Sequence, residues 1–291
     1  MGYLHINNLY KNQTILMFKE CYALEKIHGT SANISWNANE QKVNFFSGGE
    51  NYENFVSLFD VEFLQTKLSE LFVTSNATIY GEAYGGKQQG MSATYGKKLK
   101  FIGFDVQVNN IWLNVPNAEE ICKSLNIEFV DYVKVSTDLE SLNAERDKQS
   151  IQAIRNGCGE NKLREGIVLK PLIEFTTNNG GRVIVKHKRD EFKETKTQKE
   201  VSPEKFKIME DAKAVAEEWV TEMRLKHILS KLPQGINVEN TKLVIDAMVE
   251  DVYREAKGEI IESREVTKFI GCKTATLFKK KLQNEMASNI I

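Results

Sequence analysis

The stretch Leu24-Glu25-Lys26-Ile27-His28-Gly29-Thr30-Ser31 places a lysine between an apolar run and a glycine-containing turn. Alternating polarity from residue 21 to residue 46 predicts that Lys26 ends one strand and that the next strand begins after the turn. A lysine amine that has lost its proton can attack an activated phosphorus or carbonyl centre, and Gly29 lets the backbone approach a phosphate closely. Most K-x-x-G stretches are exposed turns, so this one alone is weak evidence. We interpret Lys26 as a candidate nucleophile that needs other basic residues nearby.

A pair of lysines near residue 187 is the candidate for that basic environment. Lys186 and Lys188 are two residues apart, which puts both on one face of a predicted strand. Neighbouring lysines repel each other unless a negative group lies between them, and a nucleotide phosphate would supply it. A solvated outer face of the sheet is the alternative. Glu82 and Glu165 also punctuate strand-like runs and offer carboxylates for ribose hydroxyls or a hydrated divalent cation.

Composition limits the class of protein. Of 291 residues, 41% are hydrophobic and 27% are charged, values typical of a globular chain. No apolar run reaches the length of a membrane span, so we expect a cytoplasmic protein with no membrane partner. Four cysteines are scattered singly, which predicts reduced thiols rather than a zinc site or disulfides. The basic surplus from Arg182 to Lys199 either faces phosphate or forms a solvated linker.

Residues 193–201 lack apolar periodicity, and we place a domain boundary there, between residues 1–200 and residues 201–291. The second part has helical periodicity throughout. With Ser202 as cap and Pro203 as first helical residue, it predicts a small all-α domain.

Strand-like runs and helical runs both occur in residues 1–200, which predicts a mixed α+β domain. The helical runs are residues 55–72, 118–125 and 139–154. A hairpin is expected at residues 37–40. The glycine-rich loop at residues 85–96 is too polar to belong to the core.

Five separated motifs occur in a recognisable order. They are Lys26-Ile27-His28-Gly29, Tyr80-Gly81-Glu82, Phe104-Asp105, Glu165-Gly166-Ile167-Val168-Leu169-Lys170 and Val185-Lys186-His187-Lys188. The set resembles the motifs of the covalent nucleotidyltransferases, the DNA and RNA ligases and mRNA capping enzymes. The contexts E-K-I-H-G-T and E-G-x-V-L-K-P are similar to those of the RNA ligase 2 family.

The resemblance implies an α+β nucleotidyltransferase domain of antiparallel sheets with flanking helices. It also implies an ATP-dependent RNA ligase that joins RNA 3′-hydroxyl and 5′-phosphate ends, with RNA repair as its expected role. Lys26 would attack the α-phosphate of ATP, expel pyrophosphate and carry AMP as a covalent phosphoramidate. The AMP would pass to an RNA 5′-phosphate, and a 3′-hydroxyl would then displace it.

The resemblance also implies roles for the other motif residues. Glu82 would bind the ribose, and Phe104 would stack on adenine, although an ordinary core position is the alternative for Phe104. Lys186 and Lys188 would hold the α-phosphate and take part in catalysis. Glu165 would bind nucleotide and organise Mg²⁺. Four residues around the nucleophile would line the same pocket: Glu25, Ile27, His28 and Gly29.

The expected partner is RNA, with a nicked duplex among the candidate forms, and the expected state is a monomer. The helical domain is a candidate RNA-binding domain, because its last helix carries four lysines that can contact phosphates: Lys273, Lys279, Lys280 and Lys281. The alternative is an amphipathic bundle whose lysines are merely solvated.

The chain departs from the family pattern at two places. The family usually has an arginine near residues 46–49 that contacts substrate, and this chain has none there. Ser31 stands where asparagine is common. We expect another cation, Lys87 or Lys97, to replace the arginine.

Two other functions compete with RNA ligation. A capping guanylyltransferase or DNA ligase shares the lysine chemistry but usually carries a C-terminal OB barrel, which helical periodicity disfavours. A non-catalytic nucleic-acid-binding relative of the fold would have no need for the nucleophile. Gain of the mass of AMP would exclude this non-catalytic alternative.

Overall fold

The structure, a computed structural model, describes residues 2–177, 180–192, 203–233 and 235–288. It divides into two compact units. The N-terminal unit comprises residues 1–15 and 19–199, and the C-terminal unit comprises residues 16–18 and 200–291. The described part of the chain holds no helix with the length and apolarity that a membrane crossing needs.

The strands of the first sheet are β1 (Asn7–Asn8), β2 (Glu20–Lys26), β8 (Tyr132–Ser136), β9 (Gly166–Pro171) and β10 (Val185–Lys188). They lie in the order β1-β10-β9-β2-β8. Neighbours are antiparallel, apart from the parallel pair β1 and β10. Strand β9 is covered on both faces, in keeping with its apolar run Ile167–Leu169.

The strands of the second sheet are β3 (Thr30–Asn37), β4 (Lys42–Ser47), β5 (Ala77–Gly85), β6 (Leu99–Val108) and β7 (Ile111–Trp112). They are antiparallel in the order β4-β3-β5-β6-β7. The predicted hairpin is confirmed between β3 and β4, where Gln41 has a φ of 48°.

Residues 27–29 connect the two sheets, because β2 ends at Lys26 in the first and β3 begins at Thr30 in the second. Leu24 of β2 and Ile34 of β3 belong to one apolar cluster, so the sheets share a core. The stretch from Leu24 to Ser31 therefore connects the first sheet to the second.

The helices of this unit are α1 (Tyr52–Val56), α2 (Val61–Leu71), α3 (Ser92–Tyr95), α4 (Val115–Ser124), α5 (Leu139–Arg146) and α6 (Ile151–Arg155). The predicted helix at 55–72 is instead two helices, because Asp60 caps α2 by accepting a hydrogen bond from the Phe63 N–H. The predicted helix at 139–154 is also two, since Ser150 caps α6.

The glycine-rich loop contributes to the core, contrary to the prediction. It contains α3, and Tyr95 is only 1% exposed. The prediction was wrong because it rested on the polar composition of the loop, whereas one aromatic side chain, Tyr95, is enough to anchor the loop in the core.

The helices of the C-terminal unit are α7 (Pro203–Trp219), α8 (Glu222–Lys231), α9 (Thr241–Glu255) and α10 (Arg264–Ser288). Pro203 is the first helical residue, as predicted, while Ser202 lies outside the described residues. Thr221 caps α8 and so separates it from α7. Buried residues such as Met248 and Ile270 form a separate apolar cluster, against which Met17 packs.

The protein therefore has a mixed α/β architecture with several helices, as the strand-like and helical runs predicted, and with antiparallel sheets, as the family resemblance implied. Assignment of residues 16–18 to the C-terminal unit has no counterpart in the sequence pattern.

Candidate active site

Lys26 is the last residue of β2, opposite Gly166 of β9. Its Nζ lies 3.0 Å from Oε2 of Glu165, and 22% of its side chain is exposed. The amine is therefore held in one place and remains accessible to a small molecule.

Glu165 is the centre of a cluster of two lysines and a histidine. Its side chain is 1% exposed, and its Oε2 lies 3.0 Å from Nδ1 of His28 as well as from Lys26. Its Oε1 lies 2.8 Å from Nζ of Lys188. Burial alone would raise the pKa of Glu165, but the hydrogen bond from His28 and the charges of Lys26 and Lys188 outweigh it and lower the pKa to about 2. Glu165 is thus ionised at neutral pH.

Strand β10 divides its side chains between two faces, as its alternation predicted. Lys188 faces Glu165 with 11% of its side chain exposed, so the solvated outer face left open by the sequence does not describe it. Lys186 lines the cavity described below. His187 points elsewhere, and its Nε2 lies 2.7 Å from Oδ1 of Asn143.

Gly29 and Glu82 join the start of β3 to β5. The Gly29 N–H donates to Oε1 of Glu82 over 3.0 Å. A Cβ at position 29 would lie 2.3 Å from the carbonyl oxygen of Ala83, so the close approach requires glycine. Burial raises the pKa of Glu82 to about 7, against the opposing charge of Lys26. This carboxyl group therefore titrates near neutral pH.

A cavity of about 400 Å³ opens beside Lys26, a volume within the range of small-molecule sites. Phe104, the expected adenine platform, lines it and also packs against the main apolar cluster, so both interpretations of this residue have a basis. The predicted site residues on its wall are Glu25, Lys26, Ile27, Glu82, Phe104 and Lys186. His28, Gly29, Glu165 and Lys188 are joined to these residues by the contacts given above.

The Glu25 carboxylate has a structural partner that the sequence did not indicate. It accepts hydrogen bonds from the Ser150 hydroxyl at 2.5 Å and from the Ile151 N–H at 2.9 Å. Burial raises its pKa, although the hydrogen bond from Ser150 opposes the shift. Glu25 thus fixes the start of α6 against the end of β2, next to Lys26.

One wall of the cavity comes from residues 3–6, which sequence reasoning missed. The Tyr3 hydroxyl donates to Oδ2 of Asp105 at 2.5 Å, and its ring meets the ring of Phe104 edge-on at 4.9 Å. Burial and the charge of Asp105 raise the pKa of Tyr3 and keep it neutral. No local pattern around Tyr3 signals this role.

Asp105 lies in a buried ion cluster behind Phe104. Its Oδ2 lies 2.8 Å from Nζ of Lys170 and 2.5 Å from Arg182. Burial would raise the pKa of Asp105, but the charges of Lys170 and Arg182 reverse that effect and lower it. Because Asp105 belongs to β6 and Lys170 to β9, the cluster links the two sheets beside the cavity.

Known proteins resemble this chain both in family and in fold. The RNA ligase family model matches residues 19–188. No curated protein matches the chain. Among solved structures, a lysine-to-alanine mutant of Naegleria gruberi RNA ligase with ATP and Mn has a TM-score of 0.50 and 16% identity over 66% of this chain and 56% of that chain.

The same enzyme with pyrophosphate gives a TM-score of 0.50 at 15% identity, over 66% of this chain and 57% of that chain. A lysine-to-methionine mutant with AMP and Mn gives 0.50 at 16% identity over the same shares. The chain thus spans less than two thirds of these relatives, and at such identity the likeness shows the fold. The family model covers more than half of the 291 residues, from before Lys26 to Lys188, and the chain therefore belongs to the RNA ligase family.

Proposed function

We propose that the protein is an ATP-dependent RNA ligase that joins RNA 3′-hydroxyl and 5′-phosphate ends through a lysyl-AMP intermediate, in RNA repair. The observation that carries the proposal is the cluster of Lys26, His28 and Lys188 on the buried Glu165 carboxylate, beside a cavity of about 400 Å³. Phosphoryl transfer depends mainly on positioning and on neutralising charge, and this cluster supplies both.

In the first step, Lys26 gives up one proton to solvent, and its neutral Nζ attacks the α-phosphorus of ATP. A phosphorus–nitrogen bond forms, the bond from the α-phosphorus to the bridging oxygen breaks, and pyrophosphate leaves. Glu165 is a weak base at neutral pH because its pKa is about 2. It therefore orients the amine, and a second N–H proton leaves to solvent as the phosphorus–nitrogen bond forms.

In the second step, an oxygen of the RNA 5′-phosphate attacks the phosphorus of AMP. The phosphorus–nitrogen bond breaks, and Lys26 regains a proton from solvent. In the third step, the 3′-hydroxyl oxygen attacks the RNA 5′-phosphorus and forms the phosphodiester. AMP is the leaving group, and the hydroxyl proton passes to solvent.

The cavity residues bind the nucleotide in this scheme. Phe104 stacks on adenine, and Glu82 accepts hydrogen bonds from the ribose hydroxyls. Lys186 and Lys188 stabilise the charge that develops on the α-phosphate, because both lie on the face of β10 directed at the cluster and the cavity.

A divalent cation fits the donor set only together with ATP. Among the described residues, no group of three His, Cys, Asp or Glu side chains is placed to hold a metal. Mg²⁺ commonly binds through one or two carboxylates plus substrate phosphates and waters. Glu165 fits that role because its low pKa keeps it ionised. Bound Mg²⁺ would supply neutralisation of the phosphate charge.

The test is intact mass after incubation with ATP and Mg²⁺, in parallel with GTP and NAD, followed by peptide mapping. We expect the mass of AMP on Lys26 from ATP alone, and no adduct on Lys26→Ala. Lys188→Ala should slow adduct formation by at least about 100-fold without unfolding the protein. An adduct from GTP would favour a capping enzyme, and an adduct on Lys26→Ala would sink the assignment.

A further inference from the structure

The loop between β5 and β6 is the most basic segment of the N-terminal unit that the proposed chemistry leaves unused. Residues 85–100 contain four lysines and no aspartate or glutamate. Lys87, Lys97 and Lys98 are exposed, whereas Lys100 donates to Oδ1 of Asn156 over 2.7 Å. Three lysines are therefore presented to solvent in a loop that holds no acidic residue, and Glu50, outside the loop, interacts electrostatically with Lys87.

The loop has a fixed conformation. The Gly86 N–H donates to the Gly96 carbonyl at 2.9 Å and closes its base. Gln88, which is 8% exposed, donates from Nε2 to Oε2 of Glu50 over 2.6 Å. Together with the buried Tyr95, these contacts hold the lysines in place before any ligand binds, which lowers the entropic cost of binding.

The loop also lies next to the nucleophile. The His28 N–H donates to the Tyr95 hydroxyl at 3.4 Å, two residues after Lys26. Burial raises the pKa of the Tyr95 hydroxyl, and the charge of Glu25 raises it further. This hydroxyl therefore stays neutral beside the Glu25 carboxylate. The loop that carries the exposed lysines is thus attached, through Tyr95, to the segment that follows Lys26.

We propose that Lys87, Lys97 and Lys98 bind the phosphate backbone of the RNA strand that reacts at Lys26, an inference that rests on the proposed function. Lysine contacts a phosphate as a point charge and reads no base, so this surface binds without sequence preference. ATP is the less suitable ligand, because the cavity already offers Lys186 and the cluster offers Lys188, both on the other sheet.

The test is the triple variant Lys87→Ala, Lys97→Ala and Lys98→Ala in the full chain. We expect formation of the AMP adduct within twofold of wild type, together with weaker binding of a 5′-phosphorylated single-stranded RNA oligonucleotide. Affinity falls as salt rises, and loss of three phosphate contacts should make the slope of log affinity against log salt less steep by about 2. Between about 50 mM and about 200 mM salt, wild-type affinity should then fall roughly 18-fold more than that of the variant.

The matched control is Lys42→Ala, Lys67→Ala and Lys123→Ala, which removes the same charge from β4, α2 and α4. An equal effect in the control, or an unchanged salt slope in the loop variant, overturns the proposal. Loss of the AMP adduct from the loop variant would assign these lysines to ATP and also overturn it. If wild type forms no adduct, the proposed function fails, but the RNA titration still decides the role of the loop.

Discussion

Glu165 shows how a single buried carboxylate can organise a site, because Lys26, His28 and Lys188 all lie within 3.0 Å of its oxygens. The arrangement depends on ionisation, since a protonated carboxyl group would lose its attraction for the lysines. Its folded pKa of about 2 lies below the ordinary value of 4.5. The stabilisation is therefore present above about pH 4.5 and is lost as the pH falls towards 2.

The stability of Glu165→Gln should depend less on acid pH than that of wild type. At 1.36 kcal/mol per pKa unit, the shift from 4.5 to about 2 corresponds to about 3 kcal/mol. Wild type should lose that much more unfolding free energy than the variant between about pH 5 and about pH 2, as measured by urea denaturation. The exposed Glu160→Gln is the control and should follow wild type. If the unfolding free energies of wild type and Glu165→Gln changed with pH in the same way, the low pKa of Glu165 would be contradicted.

Glu82 should give nucleotide binding a pH dependence near neutrality. Its pKa of about 7 means that the carboxylate forms as the pH rises through that value. An ionised acceptor binds ribose hydroxyls more strongly, so KM for ATP should fall by about fivefold to tenfold across this range. The check is KM for AMP-adduct formation between about pH 6 and about pH 8, in wild type and in Glu82→Gln. The prediction fails if the variant keeps the same inflection.

The sequence contains the signals for Lys26, Glu82, Glu165 and Lys188, because each is a charged residue that lies at the end of a strand-like run or alternates with its residues. It has no such signal for Tyr3. The contact that gives Tyr3 a role joins it to Asp105, 102 residues away, and no periodicity records a pairing at that distance.

Among secondary-structure elements, strands were easier to predict than helix breaks. The β3–β4 hairpin followed from alternation and a turn-forming sequence. The break between α5 and α6 did not, because it depends on the Ser150 cap and on the distant Glu25 carboxylate that accepts from the Ile151 N–H. Helix ends that are fixed by tertiary partners are invisible to a local pattern.

The contact between the two sheets predicts a large cost for Asp105→Asn. Asp105 is fully buried on β6 and pairs with Lys170 of β9 and with Arg182. Removing its charge leaves the buried Lys170 without its carboxylate and Arg182 with Glu174 alone, which costs about 3 to 5 kcal/mol of unfolding free energy. Urea denaturation followed by circular dichroism measures the change.

Asp131→Asn is the matched substitution, because Asp131 forms a partly exposed pair with Arg155 at 3.0 Å. Such pairs contribute about 0 to 1 kcal/mol. Equal losses from the two variants would show that the Asp105 cluster does not stabilise the packing of the sheets.

For the whole molecule, the lysines of α10 illustrate the limit of inference from charge alone. Lys273 donates to Glu217 over 2.8 Å, and Lys281 pairs with Glu285. Those two lysines are therefore paired with acidic side chains, which differs from the merely solvated lysines of the amphipathic alternative. Lys280 is exposed. RNA binding by the C-terminal unit stays a prediction from its sequence.

Two separate apolar clusters predict that damage to one unit can spare the chemistry of the other. Met248 is fully buried in the cluster of the C-terminal unit, and Met248→Ala should cost about 2 to 5 kcal/mol there. Because Lys26 and the cavity lie in the N-terminal unit, AMP-adduct formation at 25 °C should stay within twofold of wild type. Ile79→Ala, an equally buried change in the N-terminal cluster, should reduce both stability and adduct formation. Thermal denaturation and intact mass on the same samples give both readouts. If Met248→Ala abolished the adduct in a protein whose N-terminal unit is still folded, the nucleotide site would depend on the C-terminal unit.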